Sequence, residues 1–200
     1  MKIPSVPDII KAMRNKGYTV YSDPDGYDLN IVGIRAKNIF ANRFDDLLTV
    51  FYRFQDQWGY VAFPATTDPG TYWLENPMVK LGTAILAPGQ YRAAYKIGKH
   101  HGKYDALVQT KPVTVFRDRN RDNRLDVKDA ITDTGMFGIN IHHATRKGKS
   151  NNVEKWSAGC QVIQNSNEFE VLMSLARVGR ERFGNCFTYT LLDEKDIKDS

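Results

Sequence analysis

Hydrophobic and polar residues alternate along this chain with two different periods, and the changes from one to the other outline its elements. Over residues 6–17, VPDIIKAMRNKG, the apolar Ile9, Ile10 and Met13 recur at helical spacing before Gly17. This predicts a short amphipathic helix closed by glycine. From Tyr18 to about Val115 the pattern is that of strands and turns. YTVYSDPDGYDLNIVGIR reads as two strand-like runs about a DPDG turn. LLTVFYRFQDQWGYVAF reads as two strands rich in β-branched and aromatic residues, joined through QDQWG. TTDPGTYWL, GTAILAPGQYRAAYKIG and KPVTVF continue the strand pattern, punctuated by Gly and Pro. The helical period returns in EFEVLMSLARVGRERF, with Phe169, Leu172, Met173, Ala176 and Phe183 on one stripe. Asn167 with Glu170 predicts the start of this helix and Gly184 its end. CFTYTLL then reads as a strand and DEKDIKDS as a frayed tail.

Together these elements predict a mainly β chain with α (α+β), forming a single domain over 1–200. Within it, 1–45 reads as an N-terminal helix and hairpin appendage, 46–192 as the core and 193–200 as the tail. A content of 42% hydrophobic and 26% charged residues fits an ordinary globular protein able to bury a substantial core. No apolar run reaches the length of about 18 residues that a spanning helix needs, so membrane insertion is not expected. The first twenty residues lack an apolar h-region, and no signal peptide is expected. The net charge of +5 suits a polyanion, and an anionic cell-wall surface fits it as well as nucleic acid does. Lys and Arg are scattered and no nucleic-acid motif is present, so nucleic acid is not expected as a partner. Without an export signal, Cys160 and Cys186 read as free thiols.

Chemistry concentrates in GINIHHATRKGKSNNVEKWSAGCQV, residues 138–162. Alternation makes GINIHH a strand with His142 and His143 on opposite faces. Cys160 follows across a polar, lysine-containing spacer. A thiol attacks only as thiolate, so it needs a base, and a strand-borne imidazole beside a glycine-flanked cysteine supplies one. Gly159 allows tight backbone packing, which would let N–H groups around Cys160 face a developing oxyanion. The plainer alternative is a small buried cysteine with two surface histidines. The Lys-His-His run at 99–101 reads as a cleft rim or a solvated turn, and the four histidines lack any recognised zinc-ligand spacing.

The order I-H-x…S-x-G-C-x-V-x-x-N resembles the catalytic signature of the L,D-transpeptidase (YkuD-like) family. His142 matches its strand histidine, Ser157 its Ser/Thr, Gly159 its glycine, Cys160 its nucleophile and Asn165 its downstream asparagine. TVFYRFQDQWGYVAFPATTDPGTYWL resembles the family's early strands, and the likeness covers roughly residues 45–192. Two positions depart from the pattern: Ala158 stands where the family usually has histidine, and Val162 where it commonly has arginine. The resemblance implies a β-sandwich or barrel with a long helix after the catalytic cysteine, and a thioester formed on Cys160 from a peptidoglycan stem peptide. His142 would act as base and then acid. Ser157 would orient the imidazole or cap the loop. Ala158, Gly159, Gln161, Asn140 and His143 would line the substrate and oxyanion site, His143 as wall rather than base. No cofactor is implied for catalysis. The expected protein is a monomeric, hydrolytic, phage-type lysin, made in the host cytoplasm and released to the periplasm and cell wall. Cross-link formation, cysteine chemistry on another substrate, and a non-catalytic wall-binding or virion role are the alternatives.

A second motif is DRNRDNRLDVKD, residues 118–129. It places Asp118, Asn120, Asp122, Asp126 and Asp129 at loop positions 1, 3, 5, 9 and 12, with the Arg124 carbonyl at position 7. That resembles EF-hand and dockerin-type loops and predicts a structural Ca²⁺, with Asn123 taking the left-handed turn usually filled by glycine. The competing reading is a loop laced with salt bridges from Arg117, Arg119, Arg121 and Arg124.

Overall fold

The computed structural model describes residues 1–128 and 130–198. Its elements in chain order are α1 (Val6–Asn15), β1 (Asn30–Arg35), β2 (Asp46–Phe54), β3 (Gln57–Thr66), α2 (Thr71–Glu75), β4 (Thr83–Leu86) and β5 (Gly89–His100). There follow β6 (Tyr104–Gln109), β7 (Val113–Asp118), β8 (Thr132–Gly135), β9 (Ile141–His143), β10 (Gln161–Ile163), α3 (Ser166–Phe183), β11 (Phe187–Asp193) and α4 (Glu194–Lys198). The chain is thus mainly β with a few helices. Eight strands close a barrel in the order β1-β11-β5-β6-β9-β10-β3-β2, and β4-β7-β8 form a separate three-stranded sheet. Barrel pairs are antiparallel except β1 with β11 and β9 with β10.

The long helix α3 packs Phe169, Leu172, Met173 and Ala176 into the main core beside Leu107, Ile141, Ile163 and Tyr189. Burial of each large side chain contributes roughly 1.5–3 kcal/mol. The N-cap of α3 is Asn165, whose side chain accepts the Asn167 N–H at 2.9 Å, so the helix begins earlier than an Asn167 cap implies. Phe183, expected on the buried stripe, is 44% exposed beside the terminating Gly184.

Residues 1–45 are not an appendage to the barrel, because they supply one of its strands. α1 opens with a Ser5–Asp8 capping box and lays Ile9, Ile10 and Met13 on Val32, Ile34, Leu47, Phe51 and Leu192. All six residues of β1 are therefore buried, Ile31 in the main core and Val32 and Ile34 under α1. The first predicted run, 18–21, forms no strand. The Gln90 amide takes the Thr19 N–H and C=O, and the Asn30 amide takes those of Tyr21, satisfying this backbone from side chains. Two further expectations change. Residues 71–75 form a helix after Gly70 rather than a strand, and 194–198 form a helix rather than a frayed tail. The latter is held by a Lys16–Asp196 ion pair at 3.0 Å and by packing of Ile197.

Candidate active site

The parallel pairing of β9 with β10 sets Gln161 beside Ile141 and Val162 beside His142, which brings the cysteine loop to the histidine strand. Gly159 holds that loop in place. Its φ is 120°, and a Cβ there would lie 2.4 Å from the Ala84 carbonyl oxygen of β4, so only glycine fits. Ser157 Oγ donates to the Cys160 carbonyl at 2.8 Å and accepts the Gly159 N–H at 3.1 Å. This hydroxyl caps the loop and is not engaged with an imidazole. Cys160 is half-buried, its Sγ accepting the Asn140 N–H at 3.4 Å and donating to the Gly138 carbonyl at 3.4 Å.

His142 is buried, with Nδ1 2.8 Å from the carbonyl oxygen of His143. A carbonyl only accepts, so Nδ1 carries the proton and Nε2 keeps its lone pair. No hydrogen bond joins His142 to Cys160 among the described residues, so the expected contact is not made in this resting geometry. The partner of His142 is instead His100, stacked on it with centroids 4.1 Å apart. Asn140 Oδ1 accepts the Gln109 N–H at 2.9 Å, which turns its amide nitrogen toward His100 Nδ1 at 3.0 Å. Asn140 therefore links the two halves of the site, its backbone N–H on the sulfur and its side chain on His100. The Tyr104 hydroxyl lies 3.4 Å from His142 Nδ1, and its ring stacks on His143.

Electrostatics keep this assembly neutral at rest. Burial, then His100, push His142 down to about 3. Burial, then His101, bring His100 down to about 4. Burial pushes the Cys160 thiol up to about 11, against a smaller opposing effect of the Asn140 N–H. A standing thiolate–imidazolium pair is thus not the ground state.

Other predicted residues have different occupations. Gln161 is fully buried. Its Nε2 donates to Thr67 O and Gly159 O, at 3.3 and 3.2 Å, and its Oε1 accepts the Tyr189 hydroxyl at 2.7 Å. It braces the loop from below and is not available to substrate. Thr67 also belongs to a buried polar knot with Arg35, Asp46 and Asp68, in which Arg35 meets Asp68 at 2.8 Å. His143 is partly buried between Tyr104 and Phe169, a wall position. Ala158 lines a cavity of about 250 Å³ with Trp73, Met78, Thr83, Arg117 and Phe137. Its lining residues Phe137 and Ala158 are chain neighbours of Gly138 and Gly159, but neither Cys160 nor a histidine lines it. Larger hollows lie against α1 and α4 and contain neither cysteine nor histidine. His100 joins the site from the Lys-His-His run that reads as a cleft rim or a solvated turn, and it is buried against His142 rather than solvated; Tyr104 joins it from a position that carries no motif.

The 118–129 loop lies apart from this cluster. Asp118 is buried at the end of β7, and burial, with Asp126 and Asp122 adding to it, pushes it up to about 6. Arg121 takes the positive φ, 61°, where Asn123 was expected to. Asp129 lies outside the described residues. Among the described residues no three His, Cys, Asp or Glu side chains are already gathered as a metal-holding group. No described helix is long and apolar enough to cross a membrane. No protein-family model, curated protein or solved structure matches this chain.

Proposed function

We propose that the chain is a cysteine-dependent enzyme of peptidoglycan stem peptides, with an L,D-transpeptidase-like barrel and net hydrolytic activity of the phage-lysin type. The observation that carries this reading is the juxtaposition of β9 and β10. It sets a half-buried cysteine, on a loop that tolerates only glycine before it, against a strand whose imidazole presents a free Nε2. In the proposed reaction Sγ attacks the carbonyl of the stem peptide's L-centre. Its proton passes to His142 Nε2 and from there to the departing amine as the C–N bond breaks. Water then cleaves the thioester, releasing the acid and restoring the thiol. Ser157 occupies the Gly159 N–H, which leaves the Cys160 N–H to receive the oxyanion. The cavity beside Ala158 would take substrate on the side where the family's histidine is missing.

Attack requires the sulfur to leave Gly138 O and meet the imidazole, a contact that substrate binding would tighten. The resting separation of these groups, with both held neutral, favours a second reading: a non-catalytic wall-binding or virion protein that keeps the fold. Digestion of purified sacculi with the wild type and Cys160→Ala, followed by mass analysis of muropeptides, separates the two. Cleaved stems with the wild type alone support hydrolysis, and new cross-linked dimers would restore transpeptidation. Profiles identical to untreated sacculi would favour the binding role.

A further inference from the structure

We propose that Asp118, Asn120, Asp122 and Asp126, with the carbonyl of Arg124, form a calcium-binding loop anchored by the buried Asp118. The spacing supplies oxygen donors at positions 1, 3, 5, 7 and 9, the chemistry that a hard cation with six to eight ligands requires. Spacing alone also fits a salt-bridged loop, and the structure tells against that alternative. Among the described residues no ion pair joins Asp118, Asp122 or Asp126 to any cation. Two of the four nearby arginines turn elsewhere. Arg117 reaches Asp133 at 2.8 Å and Gly82 O at 3.1 Å, and Arg124 lies over the Phe40 ring at 5.3 Å.

Asp118 adds an independent observation. The residue is 1% exposed, and while Oδ2 accepts the Asp126 N–H at 2.9 Å, Oδ1 has no hydrogen-bond partner. Burying a carboxylate with only the main-chain N–H groups of Asp126 and Asn120 near it and no counter-charge is costly, so such a group points to a cation. The loop is also fixed at its far side. Leu125, at position 8, is buried against Leu74 and Ile85, and its N–H donates to Ile39 O at 2.8 Å. Ala41 N–H donates to Asn123 O at 3.0 Å. One face is thus held by packing and pairing. Asn120 and Asp122 lie exposed, the Oδ1 of each accepting a main-chain N–H two residues on, at 3.1 and 2.7 Å, and an oxygen so engaged keeps a second lone pair for an ion. Two of the proposed donors are an amide and a main-chain carbonyl, so the acidic side chains need not cluster before the ion arrives. Calcium would tie the end of β7 to the start of the segment that leads through β8 to Gly138.

Calorimetric titration of EDTA-treated full chain with CaCl₂, and melting curves in CaCl₂ or MgCl₂, test this. The expected result is one saturable calcium event per chain and a melting temperature raised by about 3 °C or more. Asp118→Asn and Asp122→Asn should each weaken binding at least about tenfold; Asp122 is exposed, so its variant remains informative if the Asp118 variant folds poorly. The proposal is overturned by absence of saturable binding at about 10 mM Ca²⁺, a site too weak even for extracellular modules. An equal response to Mg²⁺, or an undiminished calcium response in Asp122→Asn, also overturns it.

Discussion

The imidazole of His100 lies almost flat on that of His142, with ring centroids 4.1 Å apart and planes inclined by 22°. Neither ring can gain a proton without placing charge against the other, and the Asn140 amide fixes His100 as an acceptor at Nδ1. His100→Ala removes that stack and leaves the amide nitrogen without its partner. We expect a loss of about 2–4 kcal/mol in urea unfolding and a parallel fall in turnover. His100→Gln, which retains an acceptor, should recover part of both. Equal behaviour of the two variants would show that the acceptor at position 100 contributes nothing.

Reactivity of Cys160 with iodoacetamide reports its protonation directly. With the thiol pushed up to about 11, alkylation should rise about tenfold per pH unit from 7 to 10. A plateau beginning near neutral pH would mean a preformed ion pair and contradict the neutral resting state. Cys186, exposed near the end of α3, must first be changed to serine so that one thiol is read.

Ser157→Ala tests whether the hydroxyl caps the loop or orients a ring. Its two hydrogen bonds lie within the turn, so the substitution should cost about 1–2 kcal/mol of stability. The pH dependence of turnover should keep its shape. A shifted pH profile at unchanged stability would assign Ser157 to the imidazole instead.

Acid stability carries the signature of the buried rings. His142 holds its proton only near pH 3 when folded, and an unfolded histidine does so near 6.5. The unfolded chain therefore binds more protons between these values, and this contribution is lost as pH falls from about 6.5. Asp46, pushed up to about 8 by burial and Asp68, works in the opposite sense over part of the same range. The difference between wild type and His142→Gln cancels the carboxylate. That difference should shift against the wild type by about 1.4 kcal/mol per pH unit between 6 and 4. A flat difference would mean that the ring is not held neutral.

Elements built on long local periods were legible in the sequence: α1, α3, and the β2–β3 hairpin turning at Gln55 and Asp56. Five-residue helices such as α2 and α4 show too little period to separate them from strand or tail. The run at 18–21 looks like a strand because its backbone is extended, but Gln90 lies far away in sequence and no local pattern announces it. Within the site, the meeting of Cys160 with β9 followed from motif order. The stacking of His100 on His142 did not, since its Lys-His-His run reads only as a cleft rim or a solvated turn. The ring arrives because β6 pairs with both β5 and β9, setting His100 opposite Tyr104 and Leu107 opposite Ile141. Alternation indicates which face a residue occupies, but not which strand will lie two places away around a closed barrel. Proximity to the motif points Gln161 and Asn140 toward substrate, whereas their amides serve the backbone and neighbouring rings.

The seam between β1 and β11 places Ile31 beside Tyr189, joining strands from opposite ends of the sequence. During synthesis β1 has its β2 edge satisfied early, while its other edge waits for residues 187–193 to leave the ribosome. Until then the nascent sheet is open, with unpaired main-chain groups along β1 and β5 that invite pairing with another chain. Contacts of such long sequence separation also slow the final step. Crowded expression should therefore yield aggregates from chains halted before β11, and a separate peptide carrying that strand should rescue them.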